Sequence, residues 1–169
     1  MNIRLLREIF GYLLGGVVFV GLLPLLMWIV SCQPALWPIE IVQLIICTIL
    51  IIIGLAMSVW AIVYMKNVGD GNPMDAFNNE IAPRTKHLMT EGPYRISRNP
   101  MLTGIFLYLI GCGIWLLTWQ ALVFFVVFVL IMLLQVRSEE KRLRRDFDEE
   151  YGAYCQRTGR FWPTPLRKA

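Results

Sequence analysis

The 36 residues from Met101 to Val136 carry no charged side chain. A single helix of that length would measure ~54 Å at ~1.5 Å per residue, far more than a bilayer core of ~30 Å. The run therefore predicts two spans that turn back at Leu117-Thr118-Trp119-Gln120. A hairpin returns the chain to the side where it began. Residues just before Met101 and just after Val136 should then meet at one membrane face. Those are Tyr94-Arg95-Ile96-Ser97-Arg98-Asn99-Pro100 and Arg137-Ser138-Glu139-Glu140.

Two more runs complete the pattern. Phe10–Val30 and Ile41–Met65 are also uncharged and long enough to cross. With 57% of its 169 residues hydrophobic, the chain reads as one all-α domain over 1–169, a multi-pass membrane protein. Four transmembrane helices are expected at about 10–30, 41–65, 101–117 and 120–136, followed by a cytoplasmic helix in the C-terminal tail. Arg4 and Arg7 precede the first run. Lys66, Arg84, Lys86, Arg95 and Arg98 lie between the second and third, and the other nine of the 16 basic residues follow the fourth. Neither 31–40 nor 117–120 holds a basic residue. Four spans put every basic residue on one side, which the positive-inside bias makes cytoplasmic, both termini included. Three spans would put the nine tail charges outside.

This distribution also accounts for the net charge of +4. Basic residues flanking spans meet anionic lipid headgroups, so nucleic acid is not the expected partner. Cysteines at 32, 47, 112 and 155 form no CxxC pair, and no second His accompanies His87 at ligand spacing, so no metal site is expected. Arg4 and Arg7 before an apolar run are also the start of a signal peptide, but this run is long for one.

Local signals refine the layout. Pro24 should kink the first span. The cluster Gly69-Asp70-Gly71-Asn72-Pro73 is a turn and not a phosphate loop, since no Gly-Lys-Ser/Thr ending follows. Asn99-Pro100 is a helix start, with Asn as the N-cap and Pro at the first helical position. The positive dipole end of span three, with Arg95 and Arg98 beside it, makes an anion-attracting corner. In the tail, Leu143, Phe147, Tyr151 and Tyr154 fall on one helix face, suited to packing on the inner loop or lying on the bilayer. Glu139 can pair with Arg142, and Glu140 with Arg144, at helical spacing. Taken singly, juxtamembrane arginines and a solvated glutamate pair are ordinary features of a membrane helix end.

Their combination is more specific. Leu88-Met89-Thr90-Glu91-Gly92-Pro93-Tyr94-Arg95-Ile96-Ser97-Arg98-Asn99-Pro100-Met101-Leu102-Thr103-Gly104, an apolar hairpin, Glu139-Glu140, Phe147-Asp148-Glu149-Glu150-Tyr151 and Arg160 before Pro163 follow in order. The set resembles the isoprenylcysteine carboxyl methyltransferase family and the related phospholipid methyltransferases of the same membrane superfamily, over residues 84–163. The resemblance implies methyl transfer from S-adenosyl-L-methionine to a lipid or other lipophilic acceptor. It implies that Lys86, His87, Leu88, Met89, Tyr94, Asn99, Pro100, Met101, Leu102 and Glu139 hold the cofactor, and that Arg98, Asn99 and Glu139 stand at the reacting centre. The setting it implies is a bacterial inner membrane. The chain departs from the family pattern at Asn99, often His, at Leu102, a Tyr in the family, and at Gln135, where the prenylcysteine enzymes carry a substrate-binding Arg. The acceptor's reacting group stays open among carboxylate, amine and thiol, as does the oligomeric state.

Overall fold

A computed structural model of the protein describes residues 11, 13–36, 39–69, 75–76, 79–80 and 88–163. Within them the architecture is helical. Helix α1, Leu13–Val30, is wound as a π-helix over Gly16–Leu22 and as an α-helix over Leu23–Val30. Helix α2 is Ile41–Gly69, α3 is Pro100–Leu116 and α4 is Trp119–Arg157. Before α3 lies a short 3-10 turn, Gly92–Arg95. Strand pairing among the described residues is limited to one antiparallel ladder, Asp75–Ala76 with Asn79–Glu80. Helices α1, α2 and α4 are long and apolar enough to cross a membrane. The apolar α3 has 17 residues, ~25 Å of helix.

Lipid tails are as apolar as leucine, so helices in a bilayer associate through close backbone approach more than through the hydrophobic effect. The α2–α3 pair follows that rule. A Cβ on Gly54 would lie 2.5 Å from the Gly104 carbonyl oxygen and 2.5 Å from the Tyr108 amide nitrogen. A Cβ on Gly104 would overlap the Ser58 hydroxyl and the Gly54 carbonyl. Higher up, a Cβ on Gly111 would come within 2.9 Å of the Cys47 carbonyl. The Ser58 hydroxyl donates to the Met101 carbonyl at 3.0 Å and adds a polar tie in the same seam.

Pro24 has the effect its chemistry requires. It carries no N–H, so the Val20 carbonyl loses its usual i+4 donor. The Tyr108 hydroxyl of α3 supplies one instead, at 2.9 Å. The π-winding sits in the segment just before Pro24, where the regular ladder is interrupted.

The α3–α4 hairpin turns in two residues, Leu117 and Thr118. Leu117 is left-handed at φ 49° and its N–H returns to the Gly113 carbonyl at 2.9 Å. The Thr118 hydroxyl caps α4 by accepting the Ala121 N–H at 3.3 Å and donates to Ser31 at 2.8 Å. Gln43 reaches across from α2 and donates to the carbonyls of Ile114 at 2.7 Å and Trp115 at 3.2 Å, groups left open at the end of α3.

At the opposite end, α4 runs on past its apolar part. It is interrupted at Asp148, whose φ 29° and ψ −104° are not helical, and the chain resumes helically to Arg157. Of the two options for the tail's apolar face, packing on the loop is observed. Leu143, Phe147, Tyr151 and Tyr154 meet Leu88, Met89 and Tyr94 of the segment before α3, together with Tyr64 and Met65 of α2.

Candidate functional site

The site begins at Gly92. Its φ is +60°, and a Cβ there would sit 2.6 Å from the Tyr64 ring, so the position needs glycine for both backbone and space. The 3-10 turn that follows buries Pro93 and Tyr94 and leaves Arg95 exposed. The Tyr154 hydroxyl donates to the Tyr94 carbonyl at 2.7 Å and anchors the turn to the tail helix. Burial pushes the Tyr94 hydroxyl well above the usual tyrosine range, and the negative charge of Glu139 adds to the shift.

Next along the chain, Ser97 is fully buried and works as a junction. Its Oγ donates to the Arg160 carbonyl at 3.0 Å, accepts the Asn99 N–H at 3.1 Å and lies 3.0 Å from the Thr103 hydroxyl. Asn99 occupies the N-cap position of α3, but its side chain does not cap. This corrects the expectation from the Asn-Pro pair. Its Nδ2 instead donates to the Arg160 carbonyl at 3.1 Å, an acceptor that the docked tail brings within reach and that it shares with Ser97. The Arg98 N–H bonds the Gly159 carbonyl at 2.9 Å. Residues Gly159–Phe161 are thus laced to the start of α3 through backbone groups.

The charges sit beside this lattice. Glu140 is buried, and two guanidinium groups converge on it. Arg98 Nη1 is 3.0 Å from Oε1; Arg160 donates from Nε to Oε1 at 3.1 Å and from Nη2 to Oε2. Arg98 Nη1 also points at the Tyr151 hydroxyl, 3.3 Å away, and at Cys155 Sγ, 2.7 Å away. Two cations around one carboxylate leave the cluster with an excess of positive charge. Arg98 Nε is buried and has no hydrogen-bond partner among the described residues. Such an orphan is costly in a finished core.

Glu139 is turned differently. Its side chain is more than a third exposed and stands 3.7 Å from Arg142, the i+3 partner expected on the helix. It lines a cavity of about 60 Å³ together with Leu88, Met89, Tyr94, Arg98 and Asn99. That cavity can receive a small charged group, and a larger ligand would extend out of it. Its lining also includes Glu140 and Arg142, so it offers guanidinium and carboxylate groups together. Such a combination fits the carboxylate and ammonium of an α-amino acid moiety.

Of the residues expected at the site, the structure therefore gathers Leu88, Met89, Tyr94, Arg98, Asn99 and Glu139. Pro100 is buried at the first position of α3. Leu102 is not at this cavity; it packs in the helix core with Ile105, Tyr108 and Leu109. Met101 faces a separate apolar groove. Lys86 and His87 lie outside the described residues. Sequence reasoning missed the role of Glu140, expected to pair with Arg144 on its own helix. Arg144 instead sits 6.0 Å over the Tyr151 ring. It also missed the Ser97 junction. Arg160 before Pro163 was part of the recognised pattern, but nothing local to it announces a partner twenty residues away.

Fold and site together are those of a helical membrane protein with a small charged cavity where its longest helices emerge from their apolar stretch. Residues 42–150 match the family model for phospholipid methyltransferases. The match spans more than half of the chain, from the start of α2 into the tail of α4, and the protein belongs to this family of integral membrane methyltransferases. The segment that supplies Tyr151, Tyr154 and Arg160 lies beyond the matched residues. No curated protein matches the chain.

Proposed function

We propose that the protein transfers the methyl group of S-adenosyl-L-methionine to a lipophilic acceptor. The observation that carries the reading is the cavity lined by both Arg98 and Glu139. Arg98, backed by Glu140, suits the cofactor's carboxylate. Glu139 suits its ammonium group, with Leu88, Met89, Tyr94 and Asn99 as the surrounding wall. Lys86 and His87 remain part of the proposal from sequence. When bound, the cofactor supplies an electrophilic methyl on a sulfonium. Displacement there needs alignment of donor and acceptor more than a dedicated acid or base, so the chain's contribution is to hold and orient both and to exclude water.

The membrane arrangement we infer has four spans with both termini cytoplasmic, in a bacterial inner membrane. Its support is the placement of the basic residues together with the α3–α4 hairpin, which returns Asn99 and Glu139 to one end of the bundle. Within the enzyme reading, an isoprenylcysteine carboxyl methyltransferase-like activity leads and phospholipid N-methylation is the alternative; both fit the family, and Gln135 in place of the prenylcysteine enzymes' arginine weighs against a carboxylate acceptor. A non-enzymatic partner protein that keeps the fold is the alternative from another class.

Titration calorimetry of the purified protein with S-adenosyl-L-methionine tests the reading. Binding is expected, as is transfer of radiolabelled methyl into organic-extractable material on incubation with membranes. Failure to bind would leave the non-enzymatic alternative standing. Label confined to water-soluble products would overturn the lipophilic acceptor.

A further inference from the structure

A second cavity, of about 360 Å³, lies between α1, α2 and α3. Its lining follows that of the site along two helices. Along α2 it is lined by Leu55, Ser58, Val59 and Ile62, and one turn further on Met65 lines the charged cavity. Along α3 it runs from Met101, two residues from Asn99, to Tyr108. The seven residues from Met101 to Tyr108 rise ~10 Å. At its far end the Tyr108 hydroxyl bonds the Val20 carbonyl of α1 and ties the two walls together.

The wall on the α1 side combines Phe19 and Val20 with three glycines. Gly11, Gly15 and Gly16 all face the groove, and a Cβ on Gly16 would meet nothing within 4 Å. The groove's two hydroxyls are both engaged, Ser58 on the Met101 carbonyl and Tyr108 on the Val20 carbonyl. The remaining surface is hydrocarbon, so the walls offer an occupant no polar handle.

From this geometry we infer that the groove is a blind-ended slot for one hydrocarbon chain of the methyl acceptor, its depth set by the Tyr108–Val20 tie and its width by the glycine face of α1. The inference deepens the methyltransferase reading: a chain lodged there keeps the acceptor's reacting end beside Met101 and Asn99, at the mouth of the charged cavity. Bulk lipid would cover an exposed face without selecting a chain. A slot that ends at a tie and leads along two helices toward a charged cavity selects for a chain whose head reaches that cavity.

The test uses the full chain in lipid nanodiscs, without S-adenosyl-L-methionine, and phosphatidylethanolamine carrying a diazirine at the end of one acyl chain. After illumination, mass spectrometry should find label on groove residues such as Phe19, Leu55 and Tyr108, and excess unlabelled lipid should compete it away. Gly16→Leu, which fills the slot, should reduce that saturable labelling about tenfold, a change of roughly one decade in apparent affinity. Gly21→Leu should leave it unchanged, since Gly21 also has open space around it but lies outside the groove. Non-saturable label on lipid-facing residues such as Val17 and Leu130 would overturn the inference while leaving cofactor binding intact. If Gly16→Leu does not fold, the wild-type labelling map still decides. Saturable groove labelling in a protein that fails to bind the cofactor would keep the slot and overturn the methyl-transfer reading.

Discussion

The two ends of the helical bundle are held together by different chemistry. At the hairpin end, neutral groups bond neutral groups: Gln43 to the last carbonyls of α3, Trp115 to the Leu36 carbonyl, Thr118 to Ser31. The donors there answer the carbonyls a helix end leaves open. At the other end, a buried carboxylate binds two guanidinium groups, and a donor on one of them has no acceptor within the described residues. A bundle that needed only a closed end could make it from amides and hydroxyls, as the first end does. Buried charge costs desolvation. The contrast sets a neutral end against a charged one, where the proposed site lies.

The largest expected effect falls on the charged end. Glu140→Ala leaves the largely buried Arg98 and the partly exposed Arg160 without their carboxylate and should destabilise the protein by about 3 kcal/mol. Thermal unfolding in detergent would measure it; a loss near zero would mean the arginines find water and the end is not a closed cluster. Glu139→Ala should act on the ligand and not on the fold. Removing one charge-assisted partner costs about 1.5–3 kcal/mol, roughly ten- to a hundred-fold in affinity for S-adenosyl-L-methionine, with little change in melting. Unchanged affinity would take Glu139 out of the site.

Between the ends, Gly54→Val would drive a side chain into the Gly104 carbonyl, and overpacking of this kind costs about 1–3 kcal/mol. Alkaline titration probes the site end again. The Tyr94 hydroxyl is held above its ordinary value of 10.0, chiefly by burial, so the folded state keeps the proton more tightly than the unfolded chain does. Its contribution is fully present below about pH 10 and is lost above it, at about 1.4 kcal/mol per pH unit. Tyr94→Phe should make unfolding less steep over that window, and an identical profile would remove Tyr94 as the cause. Smallest of all, Gln43→Ala at the hairpin end should cost about 0.5–1.5 kcal/mol, the net worth of a neutral hydrogen bond. A loss as large as that from Glu140→Ala would erase the contrast between the ends.

The helices were legible in the chain because a bilayer imposes long uncharged runs, and the charges at their borders report where each run stops. Asn99-Pro100 announced the start of α3, and the order of the blocks from Leu88 to Arg160 announced the family. What neighbouring residues do on a helix was less legible. Glu139 and Glu140 are chemically identical and adjacent, and consecutive positions on an α-helix point ~100° apart. Both border the cavity, and which one is also buried between Arg98 and Arg160 depends on how the tail returns after the break at Asp148. Local spacing offered Arg144 to Glu140; the folded chain offered two arginines from other segments, and burial made those the stronger partners. Pro24 likewise implied an interrupted ladder from its missing N–H alone, whereas the donor that answers the freed Val20 carbonyl, Tyr108, comes from a helix 88 residues away in sequence. Composition and periodicity thus determined the helices, their approximate ends and the kind of chemistry gathered at them. The choice of partner for each buried polar group was made only by tertiary packing, because a group shut off from water bonds whatever the fold brings within reach.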